Sequence, residues 1–275
     1  MADIRLVAFD LDGTLLTSRQ TIPDDARAAI AGVRARGIDV MLVTGRHHVM
    51  AYPYHHALGL DTPAICCNGT YLYDYAGRDA IVSRPLSAET AGALVRWARD
   101  EGLHALVYVD DAMVAKSYDA HLDRLREWAN DLPDAVRPTI RLARGDFGNE
   151  IAGAKRIWKL VVSHPEPAWI ADSIARLPAG LALSCEWSWR NRVDIAAAGN
   201  SKGARLAEYA AMRGWAPENV LAFGDHMNDI SMLRWAGTGV AMGNAEDEVK
   251  AAADLVTGSN DDSGIASMLG RLLPG

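Results

Sequence analysis

The sequence predicts an α/β fold: a doubly wound, Rossmann-like parallel-sheet core with an inserted α+β domain. Three observations predict it. At both ends of the chain, short apolar runs alternate with helical patterns, and strands that alternate with helices build parallel sheets. Several of these runs end in residues able to do chemistry, the arrangement expected at the carboxyl edge of such a sheet. Between about 85 and 189 the strand candidates are longer, more polar and alternating, as in a sheet with one face packed and one exposed.

The elements follow in order. Leu6–Phe9 is too short and too apolar for a surface helix and reads as a buried strand. It runs into Asp10-Leu11-Asp12-Gly13-Thr14, where two carboxylates spaced i, i+2 share one face and Gly13 permits a sharp exit. Ile22-Pro23-Asp24-Asp25 opens a helix, with proline in the first turn and acids at the positive end, and Gly37 stops it. A second strand over 38–43 ends in Thr44-Gly45-Arg46, a helix runs to about Leu58, and a third strand over 64–67 ends in Asn68-Gly69-Thr70. The insert supplies strands over 105–109, 113–116, 157–162 and 181–187, and helices over 88–101, 120–130 and 167–176. The core pattern returns with a helix opened by Ser201-Lys202-Gly203. A strand over 220–223 follows, ending in Gly224-Asp225-His226-Met227-Asn228-Asp229, and two short strands near 238–242 and 254–257 precede a final helix. The expected division is a core of 1–84 and 190–275 with an inserted domain of 85–189.

Composition narrows the class. The chain has 275 residues, 49% of them apolar, enough to bury a sizeable core. Its net charge is −7 with no basic block, which argues against a nucleic-acid scaffold. No uncharged apolar run reaches the roughly 18 residues of a spanning helix, and the first strand begins too early to leave room for a signal peptide. A cytoplasmic protein without membrane partners is expected. The three cysteines have neither disulfide nor zinc spacing and read as buried thiols.

Parallel strands bring their carboxyl ends to one edge, so Asp10, Asp12, Thr44, Asp225, Asn228 and Asp229 should meet there, with Lys202 beginning a helix in the same half. Clustered carboxylates make a hard, all-oxygen site suited to Mg²⁺. A hydroxyl, an ammonium and an amide beside it suit phosphate oxygens. A carboxylate can also serve as the nucleophile in phosphoryl transfer.

With these residues in place, the chain resembles the haloacid dehalogenase superfamily, specifically the Cof-type branch (class IIB, with a large C2 cap). The matching motifs are Asp10-Leu11-Asp12-Gly13-Thr14, Thr44-Gly45-Arg46, Lys202-Gly203 and Gly224-Asp225-His226-Met227-Asn228-Asp229. The segments Gly239–Ala245 and Ser259–Ile265 are also typical of the branch. The resemblance covers the core, and the cap only in position and size. It implies a Mg²⁺-dependent phosphatase of a small phosphorylated metabolite, a sugar phosphate above all, acting through an aspartyl-phosphate. Asp10 would be nucleophile and metal ligand. Asp12 would be general acid and base, with its carbonyl on the metal. Thr44, Gly45, Lys202 and Asn228 would hold the phosphoryl group, and Asp225 and Asp229 would complete the metal site. Asn68, Arg46, Arg190 and Arg192 are candidates for substrate selection. His226 stands where fourth motifs often carry a small residue, and the run before Lys202 lacks a proline common in the branch.

Plainer readings compete. Asp225 and Asp229 alone would serve a helix dipole; His47 and His48 read as a solvated helix start; Trp187 and Trp189 read as core or hinge packing; Asp110 and Asp111 read as a hairpin turn. A signalling receiver fits poorly, because its acceptor aspartate follows the third strand, where Asn68 stands here. A phosphomutase with the same core, and a silent binding protein on the same fold, remain alternatives. Oligomeric state is left open.

Overall fold

The computed structural model describes residues 3–274. Five strands come first: β1 (Leu6–Phe9), β2 (Asp39–Leu42), β3 (Ala64–Cys66), β4 (Tyr71–Asp74) and β5 (Asp79–Ser83). Six follow: β6 (His104–Val109), β7 (Ala112–Ala115), β8 (Ile140–Leu142), β9 (Ile157–Ser163), β10 (Leu183–Trp189) and β11 (Arg192–Ala197). Three close the chain: β12 (Val220–Gly224), β13 (Thr238–Ala241) and β14 (Leu255–Val256). Two compact units result, one of Met1–Arg46, Tyr54–Val82 and Ser201–Gly275, the other of His47–Pro53 and Ser83–Asn200.

The first unit carries a parallel sheet in the order β14-β13-β12-β1-β2. β1 is fully buried, as an uninterrupted apolar tetrapeptide must be when strands pair with it on both sides. Leu6, Val7 and Phe9 each contribute about 1.5–3 kcal/mol on burial. Phe9 stacks on Phe223 of β12 with ring centroids 4.9 Å apart. From β1 the chain steps outward to β2 and later returns to the opposite side of β1 at β12. Strand order therefore reverses at β1, and the crevice beyond the carboxyl ends of β2, β1 and β12 is where such sheets bind ligands. β3 lies beside the end of β2, joined by the parallel bridge Val43–Ile65, and continues antiparallel into β4 and β5. The β4–β5 hairpin was not expected from the sequence.

The second unit is a six-stranded sheet, β10-β11-β9-β6-β7-β8, antiparallel except for the β7–β8 pair. The helices Ala88–Asp100, Phe147–Gly153 and Pro167–Ile174 contribute to the core on one of its faces. A second cluster contains Met50, Leu106, Met113, Leu122 and Val161. Asp110, with φ 33°, makes the β6–β7 turn with Asp111, as read.

Four expectations change. A border near 190 would part β10 from β11, yet these pair from Leu183–Ala197 to Trp189–Arg192, and β11 pairs with β9. The second unit therefore runs to Asn200. His47 and His48 are buried, not solvated, because the 47–53 stretch packs with the second unit. Trp187 and Trp189 are exposed rather than packed, since β10 is an edge strand, and Cys185 on the same strand is exposed as well. β8 and the helix Phe147–Gly153 were missed: each is too short to show a period. Among the described residues, no helix is long and apolar enough to cross a membrane.

Candidate active site

Asp10 extends the β1 ladder by one step, its amide donating to the Phe223 carbonyl at 3.0 Å. The strand thus carries a carboxylate into the crevice with almost no solvent contact. A buried carboxylate needs a partner, and Lys202 supplies it: Nζ lies 2.6 Å from Asp10 Oδ1 and 2.6 Å from Asp229 Oδ1. Lys202 is the first residue of the helix Lys202–Met212, capped by the Ser201 side chain on the Ala204 amide. A lysine there opposes the helix dipole, and only the two facing carboxylates make the position favourable. Burial would lower the Lys202 pKa, but Asp10 and Asp229 outweigh it and hold the ammonium above its ordinary range. Asp10 is raised well above the ordinary carboxylate value by burial, with Lys202 pulling down and the neighbouring acids pushing up.

Asp229 is tied on both sides. One oxygen takes Lys202, and the other accepts the amides of Asp225 and His226 at 2.9 and 3.0 Å. Asp225 stands next to it after β12, its Oδ1 accepting the Thr14 hydroxyl at 2.6 Å. Burial and the Asp229 charge push its pKa up to about 7, against the Thr14 hydrogen bond. Gly13 is required here twice over. Its φ is +83°, and a Cβ on it would meet Asp225 Oδ2 at 2.2 Å. Ligand oxygens of Asp10, Asp225 and Asp229 lie within 4.8 Å of one another. Three carboxylates thus face one ammonium, and the uncompensated charge and hard oxygen donors fit a divalent cation such as Mg²⁺.

The second rim comes from β2. The Thr44 hydroxyl accepts the Arg46 amide at 3.0 Å, and the Thr44 carbonyl accepts the Asn68 amide at 3.1 Å. A Cβ on Gly45 would meet Asn68 Oδ1 at 2.7 Å, so glycine is what lets the Asn68 side chain lie across this loop. Asn68 Oδ1 accepts Asn228 Nδ2 at 3.0 Å, joining the loops that follow β2, β3 and β12. Cys67 and Asn68 both take left-handed backbone, at φ 49° and 55°. Two non-glycine residues in that region store strain, and such strain gathers at functional sites. Arg46 forks onto Asp12, with Nε to Oδ2 at 2.7 Å and Nη2 to Oδ1 at 2.5 Å. Burial alone would raise Asp12; the Arg46 charge and hydrogen bonds bring it below its ordinary value.

Of the residues selected from the sequence, Asp10, Asp12, Thr44, Gly45, Arg46, Asn68, Lys202, Asp225, Asn228 and Asp229 all fall in the first unit, at the carboxyl edge of its sheet. Arg190 and Arg192 belong to the second unit, at the β10–β11 turn, and the cluster is built without them. Sequence reasoning missed Thr14 as a brace on Asp225. It also missed the loops that pin the β1 exit: Asn244 Nδ2 donates to the Gly13 carbonyl at 2.9 Å and Asn260 Nδ2 to the Leu16 carbonyl at 2.8 Å. The only available signal was that both asparagines sit in the two branch-typical segments.

The comparisons with known proteins agree with this geometry. The haloacid dehalogenase-like hydrolase family matches residues 7–269. The chain is 44% identical to the pyridoxal phosphate phosphatase YbhA of Escherichia coli (strain K12), covering 96% of this chain and 97% of that one. It is 30% identical to a 5-amino-6-(5-phospho-D-ribitylamino)uracil phosphatase, YcsE, of Bacillus subtilis (strain 168), over 97% and 95% of the two chains. A solved haloacid dehalogenase-like hydrolase from Bacteroides thetaiotaomicron superposes with a TM-score of 0.86 at 26% identity, covering 98% of this chain and 100% of that one. The chain belongs to the haloacid dehalogenase-like hydrolases, in their Cof-type branch. Within that family it is a phosphatase, a phosphoric monoester hydrolase acting on phosphorylated small molecules.

Proposed function

We propose that this protein is a Mg²⁺-dependent phosphatase that passes the phosphoryl group of a small metabolite through Asp10, with pyridoxal phosphate as the leading substrate. The observation that carries the mechanism is the buried Asp10–Lys202–Asp229 bridge beside Asp225, at the point where strand order reverses. The substrate rests on the 44% identity to a pyridoxal phosphate phosphatase over nearly the whole of both chains. The sugar phosphate expected from the sequence is the comparator.

In this reading an Asp10 oxygen attacks phosphorus and the ester P–O bond breaks. The Arg46 fork keeps Asp12 ionised in the resting site; in this reading Asp12 takes up a proton from solvent as the substrate binds and gives it to the departing oxygen, which leaves as the alcohol. Water then attacks the phosphorus of the aspartyl-phosphate while Asp12 takes its proton. Phosphate departs and the Asp10 carboxylate is restored. Lys202 holds the nucleophile at Oδ1 and offers positive charge to the phosphoryl oxygens. Asp10, the Asp12 carbonyl and Asp225 would hold Mg²⁺, with Asp229 fixing Lys202 and the 225–226 backbone beside it. When bound, the cation would offset the repulsion between the nucleophile and the phosphate dianion.

The test is phosphate release from pyridoxal phosphate and a panel of sugar phosphates, with Mg²⁺ and with excess chelator, for wild type and Asp10→Asn. Expected is metal-dependent release, fastest with pyridoxal phosphate, that vanishes in a folded Asp10→Asn variant. Full activity of that variant, or activity untouched by chelation, overturns the mechanism. A sugar phosphate turned over with higher kcat/KM overturns the substrate.

A further inference from the structure

The Asp12 carboxylate stands at the rim of the cluster with its side chain about half exposed, at 49%. A carboxylate so placed has many rotamers open to it, yet here it is gripped by the fork of Arg46. Arg46 is itself enclosed. Its Nη2 also donates to Gln20 Oε1, its guanidinium carbon lies 5.1 Å from the centre of the Tyr54 ring, and the Tyr54 hydroxyl donates to the Gln20 carbonyl at 3.3 Å. All four residues lie in the first unit.

Gln20 sits on the surface at the tip of a tight turn. Its amide donates to the Thr17 carbonyl at 2.9 Å, and the Thr17 amide donates to the Thr21 carbonyl at 2.9 Å. The turn holds Gln20 at φ 61°, a conformation glycine adopts without strain and a side chain does not. A strained, exposed glutamine whose side-chain oxygen accepts from the same guanidinium that grips Asp12 is poorly explained by the turn alone.

We propose that Gln20 is a positioning residue for the phosphatase reaction: together with Tyr54 it seats the Arg46 guanidinium, and through Arg46 it fixes where the Asp12 carboxyl stands. The proposal rests on the reading of Asp12 as general acid given above. In the step concerned, an Asp10 oxygen bonds to phosphorus as the ester P–O bond breaks, and the Asp12 proton goes to the leaving oxygen. An alkoxide leaving group needs that proton; p-nitrophenolate departs without it. The parameter kcat/KM covers the steps up to loss of the leaving group, so it isolates this proton transfer from the later hydrolysis.

The experiment compares kcat/KM for an alkyl phosphate (pyridoxal phosphate, or the best sugar phosphate) and for p-nitrophenyl phosphate in wild type, Gln20→Gly and Gln20→Ala. Expected is a fall of about tenfold for the alkyl ester in both variants, a fraction of what general acid catalysis supplies. The aryl ester should change less than about twofold. Thermal melting should separate positioning from structure: Gln20→Gly, which relieves the left-handed strain, is expected to melt no lower than wild type. Equal losses on both esters, or no loss on either, overturn the proposal. Wild-type protein that releases no phosphate from either ester under Mg²⁺ overturns the underlying phosphatase mechanism instead.

Discussion

Lys202 brings one positive charge to a place where water cannot help it. Its two partners are equally buried, so the three groups depend on each other. Removing one member of such a set leaves charge that nothing solvates, at a cost of about 3–5 kcal/mol. Lys202→Met keeps the length and loses the ammonium. It is expected to lower stability by that order in urea denaturation at pH 8, and to cut kcat about 10²–10³-fold, the effect of removing one preorganised charge donor. A variant as stable as wild type would mean that Asp10 and Asp229 do not rely on the lysine. Gln20 makes the complementary case: the Lys202 bridge couples stability to catalysis, whereas Gln20→Gly is expected to part them.

At the scale of elements, His47 immediately precedes the helix His48–Ala57 that follows β2, and the His47 and His48 rings lie side by side with centroids 4.3 Å apart. Both are buried, and His47 meets the Tyr108 ring edge-on at 5.4 Å. Burial, then the charges of His48 and Lys159, pushes the His47 pKa well below 6.5. Burial also lowers His48, despite its contact with Asp111. A histidine depressed in the folded state contributes stability that is complete above its unfolded pKa and is lost as pH falls below it. Wild type is therefore expected to lose about 1.4 kcal/mol per pH unit for each such group below roughly pH 6.5. Equilibrium unfolding at pH 7.5 and 5.5 measures it, and His47→Gln should flatten the slope while costing stability overall. An unchanged slope in that variant would remove His47 as the source.

At the scale of the whole molecule, the carboxylate cluster makes the opposite contribution. Asp10 and Asp225 have folded pKa values above their ordinary one, Asp225 near 7. The folded state therefore binds protons that the unfolded chain has released, and the cluster grows more destabilising as pH rises from about 4 through 7. A divalent cation bound there competes with those protons. The rise in melting temperature on adding Mg²⁺ should be larger at pH 8 than at pH 6. Comparing the two shifts at fixed protein concentration isolates the cluster from the histidines, whose effect is common to both samples. Equal shifts would place the cation elsewhere.

The sequence by itself determined the sheet and its working edge. Leu6–Phe9 and Val220–Gly224 are short, unbroken apolar runs that read as buried strands, and residues that end such strands gather at one edge of a parallel sheet. That made Asp10, Asp12, Thr44, Asp225 and Asp229 legible before any coordinate, with Lys202 recognisable through its motif. Only the tertiary structure decided what each group touches. Thr14 bracing Asp225, Asn244 and Asn260 holding the β1 exit, and Gln20 seating Arg46 join residues up to 244 positions apart. No local pattern records such pairs, because a polar side chain has the same propensity whichever distant partner satisfies it. The same holds for the unit border at Asn200 and for the buried histidines. Both follow from which strand or face a segment meets, a choice made by packing rather than by the segment's own period.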